Sequence, residues 1–144
     1  MTGKSLSDIA EKMRAIDIAI LSTRTDDGSI AGRPMSNNRD VDYDGDSYYF
    51  ACDDTRLVHD IEREPKVALS FQGKAGLLGV RPFFVAVEGE AQLVRDKGLF
   101  ADHWNSDLDK WFDDGIETPG LVMVKVHAGR VHYWDGAEEG EVGL

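Results

Sequence analysis

Ile18-Ala19-Ile20-Leu21-Ser22-Thr23-Arg24, closed by Asp26-Asp27-Gly28, is the stretch on which the fold is decided. An apolar run rich in β-formers that ends in hairpin punctuation predicts a strand that turns straight back. The return strand carries Arg33-Pro34-Met35-Ser36. A second hairpin signal follows at Tyr43-Asp44-Gly45-Asp46, and Ser47 to Cys52 reads as a third strand. Asp53-Asp54-Thr55-Arg56 then opens a helix. Strands this short, joined by tight turns, favour antiparallel pairing over strand–helix–strand crossovers.

Working outward, Ser5 to Arg14 predicts a helix with Leu6, Ile9, Ala10 and Met13 on one face and Ser5 or Ser7 as its cap. Thr55 to Glu64 predicts another, with Leu57, Val58 and Ile61 at one-turn spacing and Pro65 as its stop. Lys66 to Gln72 alternates as a strand. Gly73 to Gly79 holds too many glycines for a strand interior and reads as a loop. Phe83 to Val94 resumes the strand pattern, and Gly89 within it marks a bulge or a close backbone approach. Asp96 to Trp104 and Asp107 to Phe112 read as a helix pair. Leu121 to Trp134 is a long alternating strand with a break at Ala128-Gly129. The expectation is one mainly β domain over residues 1–135, an antiparallel barrel of about six strands with short helices, and a flexible acidic tail over 136–144.

At 144 residues the chain is long enough to bury a core without staples. A net charge of −11 makes nucleic acid and anionic membranes poor partners. Cys52 is the only cysteine, so no intramolecular disulfide forms and nothing demands an oxidising compartment. No targeting pattern and no run of about 20 apolar residues is present, so the expected location is the cytoplasm. His59, His103, His127 and His132 lack ligand-like spacing, and no metal is expected. The nucleophile elbow and the common nucleotide-binding glycine loops are absent too.

Arginines are more informative than carboxylates in a chain with 27 acidic and 16 basic residues. Arg33 precedes Pro34, which lacks a backbone donor and so places its strand at an edge, a bulge or an opening. Thr55-Arg56 at a helix start brings a hydroxyl, free backbone N–H groups and a guanidinium to a point where an anion is favoured. Two readings of these residues stand on spacing alone: a phosphate site shared by Arg33 and Arg56, or an ordinary cap and two surface arginines.

The order of motifs resembles the FMN-binding split-barrel superfamily and, within it, the pyridoxamine 5′-phosphate oxidase-like branch called general stress protein 26-like. The resemblance rests on Arg33-Pro34-Met35, on Phe50-Ala51-Cys52 before Asp53-Asp54-Thr55-Arg56, and on Glu64-Pro65 before Val67-Ala68-Leu69-Ser70-Phe71. Val85-Ala86-Val87-Glu88-Gly89-Glu90-Ala91 and Tyr133-Trp134-Asp135 complete it, so that nearly the whole chain is covered. What it implies is a homodimer with flavin sites in the interface and FMN as cofactor, FAD being the alternative. Carried over, Arg33 and Met35 line the ribityl and ring end with Ser36 beside them, and Thr55 and Arg56 hold the phosphate. Phe50 contributes to the ring slot. Cys52 stands where the family often has Thr, and Trp134 approaches the ring from the partner chain.

The implied role is a flavin-dependent redox or stress-response protein acting on an unidentified small molecule. The true oxidases continue into a basic segment beyond the Tyr-Trp strand, whereas Gly136 to Leu144 has no basic residue, which argues against pyridoxamine phosphate oxidation. The competing expectation is a split-barrel dimer that has lost flavin and serves as a binding module for haem, another ligand or a protein. The residues leave open whether the chain is an enzyme.

Overall fold

A computed structural model describes residues 3–38, 42–74 and 81–144. The described residues contain two α-helices, α1 (Leu6–Met13) and α2 (Arg56–Arg63). The strands are β1 (Ile18–Arg24), β2 (Ile30–Ser36), β3 (Asp46–Cys52), β4 (Lys66–Gln72), β5 (Phe83–Val94), β6 (Leu121–Asp135) and β7 (Glu138–Val142). They form one antiparallel sheet in the order β2-β1-β4-β5-β6-β3, with β7 also on β6. The 15-residue β6 carries β3 along its first half and β7 along its second. The sheet curls into a split half-barrel whose path ends in β2 on one side and β3 on the other.

The alternation read from the sequence is what fills this barrel. Leu21, Leu69, Val87 and Val131 form one cross-strand row on the inner face, and Ala19, Phe71, Val85 and Tyr133 form the next. All eight are buried in one cluster. The helices plug it. Ile9 and Met13 of α1 and Leu57, Val58 and Ile61 of α2 join the same core. Ser5 caps α1 in a reciprocal box with Asp8, and Thr55 caps α2.

Gly89 lies at a register shift in the β5–β6 ladder, where Glu88 opposes Arg130 and Gly89 opposes Ala128, leaving Gly129 as the extra residue. A Cβ at Gly89 would come within 2.4 Å of the His127 carbonyl oxygen, so only glycine fits.

Two expectations change. Residues 96–118 form short 3₁₀ turns, Lys97–Leu99, Ala101–His103, Ser106–Leu108 and Gly115–Glu117, instead of two helices. Their apolar side chains cover the outer side of β3 and β6 and build a second core of Phe50, Phe100, Leu108, Leu121 and Met123. Residues 138–142, expected to fray, form β7. Val142 is buried opposite Val131, and Glu138 accepts a hydrogen bond from the Tyr133 hydroxyl at 2.9 Å. Most of the glycine-rich loop expected over 73–79 lies outside the described residues.

Candidate functional site

β2 runs one way and β3 the other, so the split has two ends. One lies where Arg33 of β2 meets Asp60 of α2, and the other where the end of β2 approaches the start of β3. The first end collects the basic residues. Arg33 pairs with Leu21 across the β1–β2 ladder and therefore points to the inner face. Its Nη1 donates to Thr23 Oγ1 at 2.7 Å and to the Leu21 carbonyl at 3.3 Å, while Nη2 lies 3.6 Å from Asp60 Oδ2. Thr23 in turn donates to Asp60 Oδ2 at 2.7 Å. Asp60 is 3 % exposed and projects from α2, with Arg63 3.7 Å from its other oxygen. The guanidinium of Arg33 is thus fixed by a buried carboxylate and a buried hydroxyl.

Burial pushes the pKa of Arg33 down, Asp60 opposes that, and the charge of Arg56 adds to the lowering. The two guanidiniums are therefore within electrostatic reach of each other. Arg56 is exposed at the first residue of α2 and has no carboxylate partner among the described residues. Asp53, three residues before it, pairs with Arg95 at 2.7 Å. Arg56 stands at the N-terminus of α2, whose dipole also favours an anion, and Arg33 reaches the same helix at Asp60 in its second turn.

The other expected residues fall in different places. The Thr55 hydroxyl donates to the Cys52 carbonyl at 2.7 Å and accepts from Val58 N at 3.5 Å, so its first duty is the helix cap. Met35 is 9 % exposed in the main core. The Phe50 side chain meets Phe100 and Trp104 edge-on in the second core, with ring centroids 5.6 and 4.9 Å away. Only the Phe50 backbone lies along the split. Cys52 is half-buried opposite Leu121 on the same side of β3 as Phe50.

Ser36 and Trp134 lie on the outer face. Ser36 pairs with Ile18 across β1 and β2, and Gln72, Phe84 and Trp134 form a row across β4, β5 and β6 on the same face. Within one chain Trp134 is thus on the opposite face from Arg33. Ile18, Ile20 and Trp134 are each about two-fifths exposed there.

Sequence reading missed Asp60 and Thr23. The signal existed: Asp60 falls beside Leu57 and Ile61 on the apolar face of its helix, and Thr23 continues the inward alternation of Ala19 and Leu21. No cluster suited to a metal ion occurs among the described residues.

Comparison with known families matches residues 4–143 to the one described as "Pyridoxamine 5'-phosphate oxidase like". General stress protein 26 of Bacillus subtilis (strain 168) is 27% identical over 122 residues, 81% of this chain and 85% of the relative. A crystal structure of a protein related to it from Clostridium acetobutylicum superposes with a TM-score of 0.76 at 16% identity, covering 94% of this chain and 92% of that one. Two further structures carry ligands in their names. A FAD-binding protein from Mesorhizobium loti has a TM-score of 0.67 at 19% identity, covering 85% of this chain and 88% of that one. A heme binding protein from Mycobacterium smegmatis has a TM-score of 0.71 at 16% identity, covering 98% of this chain and 59% of that one. At such identities these structures establish the split-barrel fold alone.

Proposed function

We propose that this chain, which belongs to the pyridoxamine 5′-phosphate oxidase-like family, binds a flavin, FMN first and FAD second, with the phosphate held between Arg33 and Arg56. The observation that carries the reading is that α2 brings two guanidiniums within electrostatic reach, Arg33 anchored on Asp60 and Arg56 at the first helical residue, unpaired among the described residues. An anion between them relieves their repulsion and adds charge-assisted hydrogen bonds.

The donors present suit a phosphate monoester. Arg33 offers a guanidinium immobilised before binding, so little side-chain entropy is lost when the anion arrives. Arg56 closes on the anion from the exposed side. The first N–H groups of α2 complete the cradle, with Thr55 holding the chain in the capped conformation. A bound flavin supplies one- and two-electron transfer, and the protein positions it and keeps water from it. The unpaired backbone edges of β2 and β3 offer hydrogen bonds along the split.

The function follows as a flavin-dependent redox or stress-response protein acting on a small molecule, working as a homodimer in the cytoplasm. The outer face with exposed Ile18 and Trp134 and half-buried Phe84 is where the second copy would sit, with Trp134 presented to the partner.

The test is a titration of the purified chain with FMN and with FAD, followed by absorption and fluorescence. Saturable binding of about one flavin per chain is expected, with a shifted flavin spectrum. Failure to bind either flavin at micromolar concentration overturns the proposal.

A further inference from the structure

β7 has little to hold it by burial. Three of its five residues, Glu138, Glu139 and Glu141, are acidic, a fourth is Gly140, and only Val142 is buried. Among the described residues it pairs with β6 and with no other strand. Burial of one valine does not offset the entropy of ordering five residues, so the seating of β7 depends on its ladder and on the charges facing it. On the inner side Glu138 accepts from the Tyr133 hydroxyl and lies 3.4 Å from Lys4 Nζ.

The outer side is governed by one histidine. The ladder pairs His132 with Glu141 and Trp134 with Glu139, so all four side chains share that face. The half-buried His132 ring bridges the two carboxylates, with Nε2 2.8 Å from Glu139 Oε2 and Nδ1 3.9 Å from Glu141 Oε1. It also lies against Trp134, ring centroids 4.4 Å apart. A carboxylate brings no proton, so each ring nitrogen must carry one to bond its partner. Neutral imidazole has a single N–H. Given to Glu139 through Nε2, it leaves the Nδ1 lone pair turned towards the charge of Glu141. The imidazolium serves both. Arg130 lies 3.9 Å from Glu141 and 4.0 Å from Glu88 of β5, divided between two carboxylates, and arginine keeps its charge at any working pH. Ala86 of β5 stands opposite His132, with Phe84 and Glu88 on either side. Around the ring, Glu88, Glu139 and Glu141 thus outnumber Arg130, and histidine is the residue type whose charge comes and goes near neutral pH.

We propose that His132 is a proton-operated latch on β7: with its proton the ring bonds both Glu139 and Glu141 and seats the strand, and without it Glu141 is released and β7 loosens from β6 beside Trp134. A histidine that gains carboxylate partners stabilises the seated form at the acid end of the imidazole range, and that gain is lost as the pH rises through it. The inference stands on two strands of one chain and holds whether or not a flavin or a second copy binds.

The test is amide exchange with water in the full chain, followed by NMR from about pH 5.5, where glutamates in general stay ionised, to about pH 8.5. Each rate is divided by that of the same residue in an unstructured chain at the same pH, so that protection alone is compared. Protection of the β7 amides relative to those of β4 should fall about threefold or more over this range. His132→Gln keeps a donor for Glu139 but cannot gain a charge, and its β7 protection should be flat with pH. Glu139→Gln combined with Glu141→Gln gives the ring uncharged partners and removes like charges from β7, so the strand stays seated and its protection should be flat as well. Unchanged β7 protection across the range in the parent, or a fall that persists in either variant, overturns the proposal.

Discussion

Asp60 sets the geometry of the basic end of the split. It is buried, accepts from Thr23 and faces both Arg33 and Arg63. Asp60→Ala removes the counter-charge of a partly buried guanidinium and the acceptor of the Thr23 O–H, and should cost about 2–4 kcal/mol in urea denaturation. Loss of less than about 1 kcal/mol would show that Arg33 is held by something else. The positions of the arginines, Arg33 on an edge strand and Arg56 at a helix start, were legible from Pro34 and from the Thr55 cap. Asp60 was not singled out because one carboxylate among 27 acidic residues carries no weight until its helical phase is compared with Leu57 and Ile61. Phe50 illustrates the converse: its motif marks the right strand, but strand alternation turns its side chain into the second core, away from the split.

At the scale of elements, strands were read best, because inward alternation over seven or more residues has few competing explanations. β4 and β5 fall at the expected limits. The segment 96–118 was misread because aromatic residues three and four apart suit 3₁₀ turns packed on a sheet as well as an α-helix. β7 was missed because its glutamates mask a strand whose buried content is mainly Val142. The bulge offers a sharp test. Gly89→Ala places a methyl group on the His127 carbonyl and must shift the β5–β6 ladder, so a loss of about 2 kcal/mol or more is expected on thermal or chemical melting. A variant as stable as the parent would mean that β6 relaxes freely at Gly129.

For the whole molecule, the inner face explains stability and the outer face is where the proposed second copy would sit. Ile18, Ile20, Phe84, Ala86 and Trp134 lie on the outer face beside Ser70 and Gln72, a partly apolar surface that suits the proposed interface. Trp134→Glu should convert the dimer to monomer in sedimentation velocity without unfolding it, since Trp134 contributes nothing to the inner core. A parent that sediments as a monomer would remove the dimer from the account. The expectation of a dimer came only from family likeness, because no periodicity in one chain says what covers its outer face.

The central claim is that Arg33 and Arg56 hold the phosphate of a flavin, and comparing FMN with riboflavin tests it most directly, because the two differ in that phosphate alone. The parent should bind FMN at least about 100-fold more tightly than riboflavin, and Arg56→Ala should shrink the ratio to within about tenfold. Equal affinities for FMN and riboflavin in the parent, or a ratio unchanged by Arg56→Ala, would contradict it.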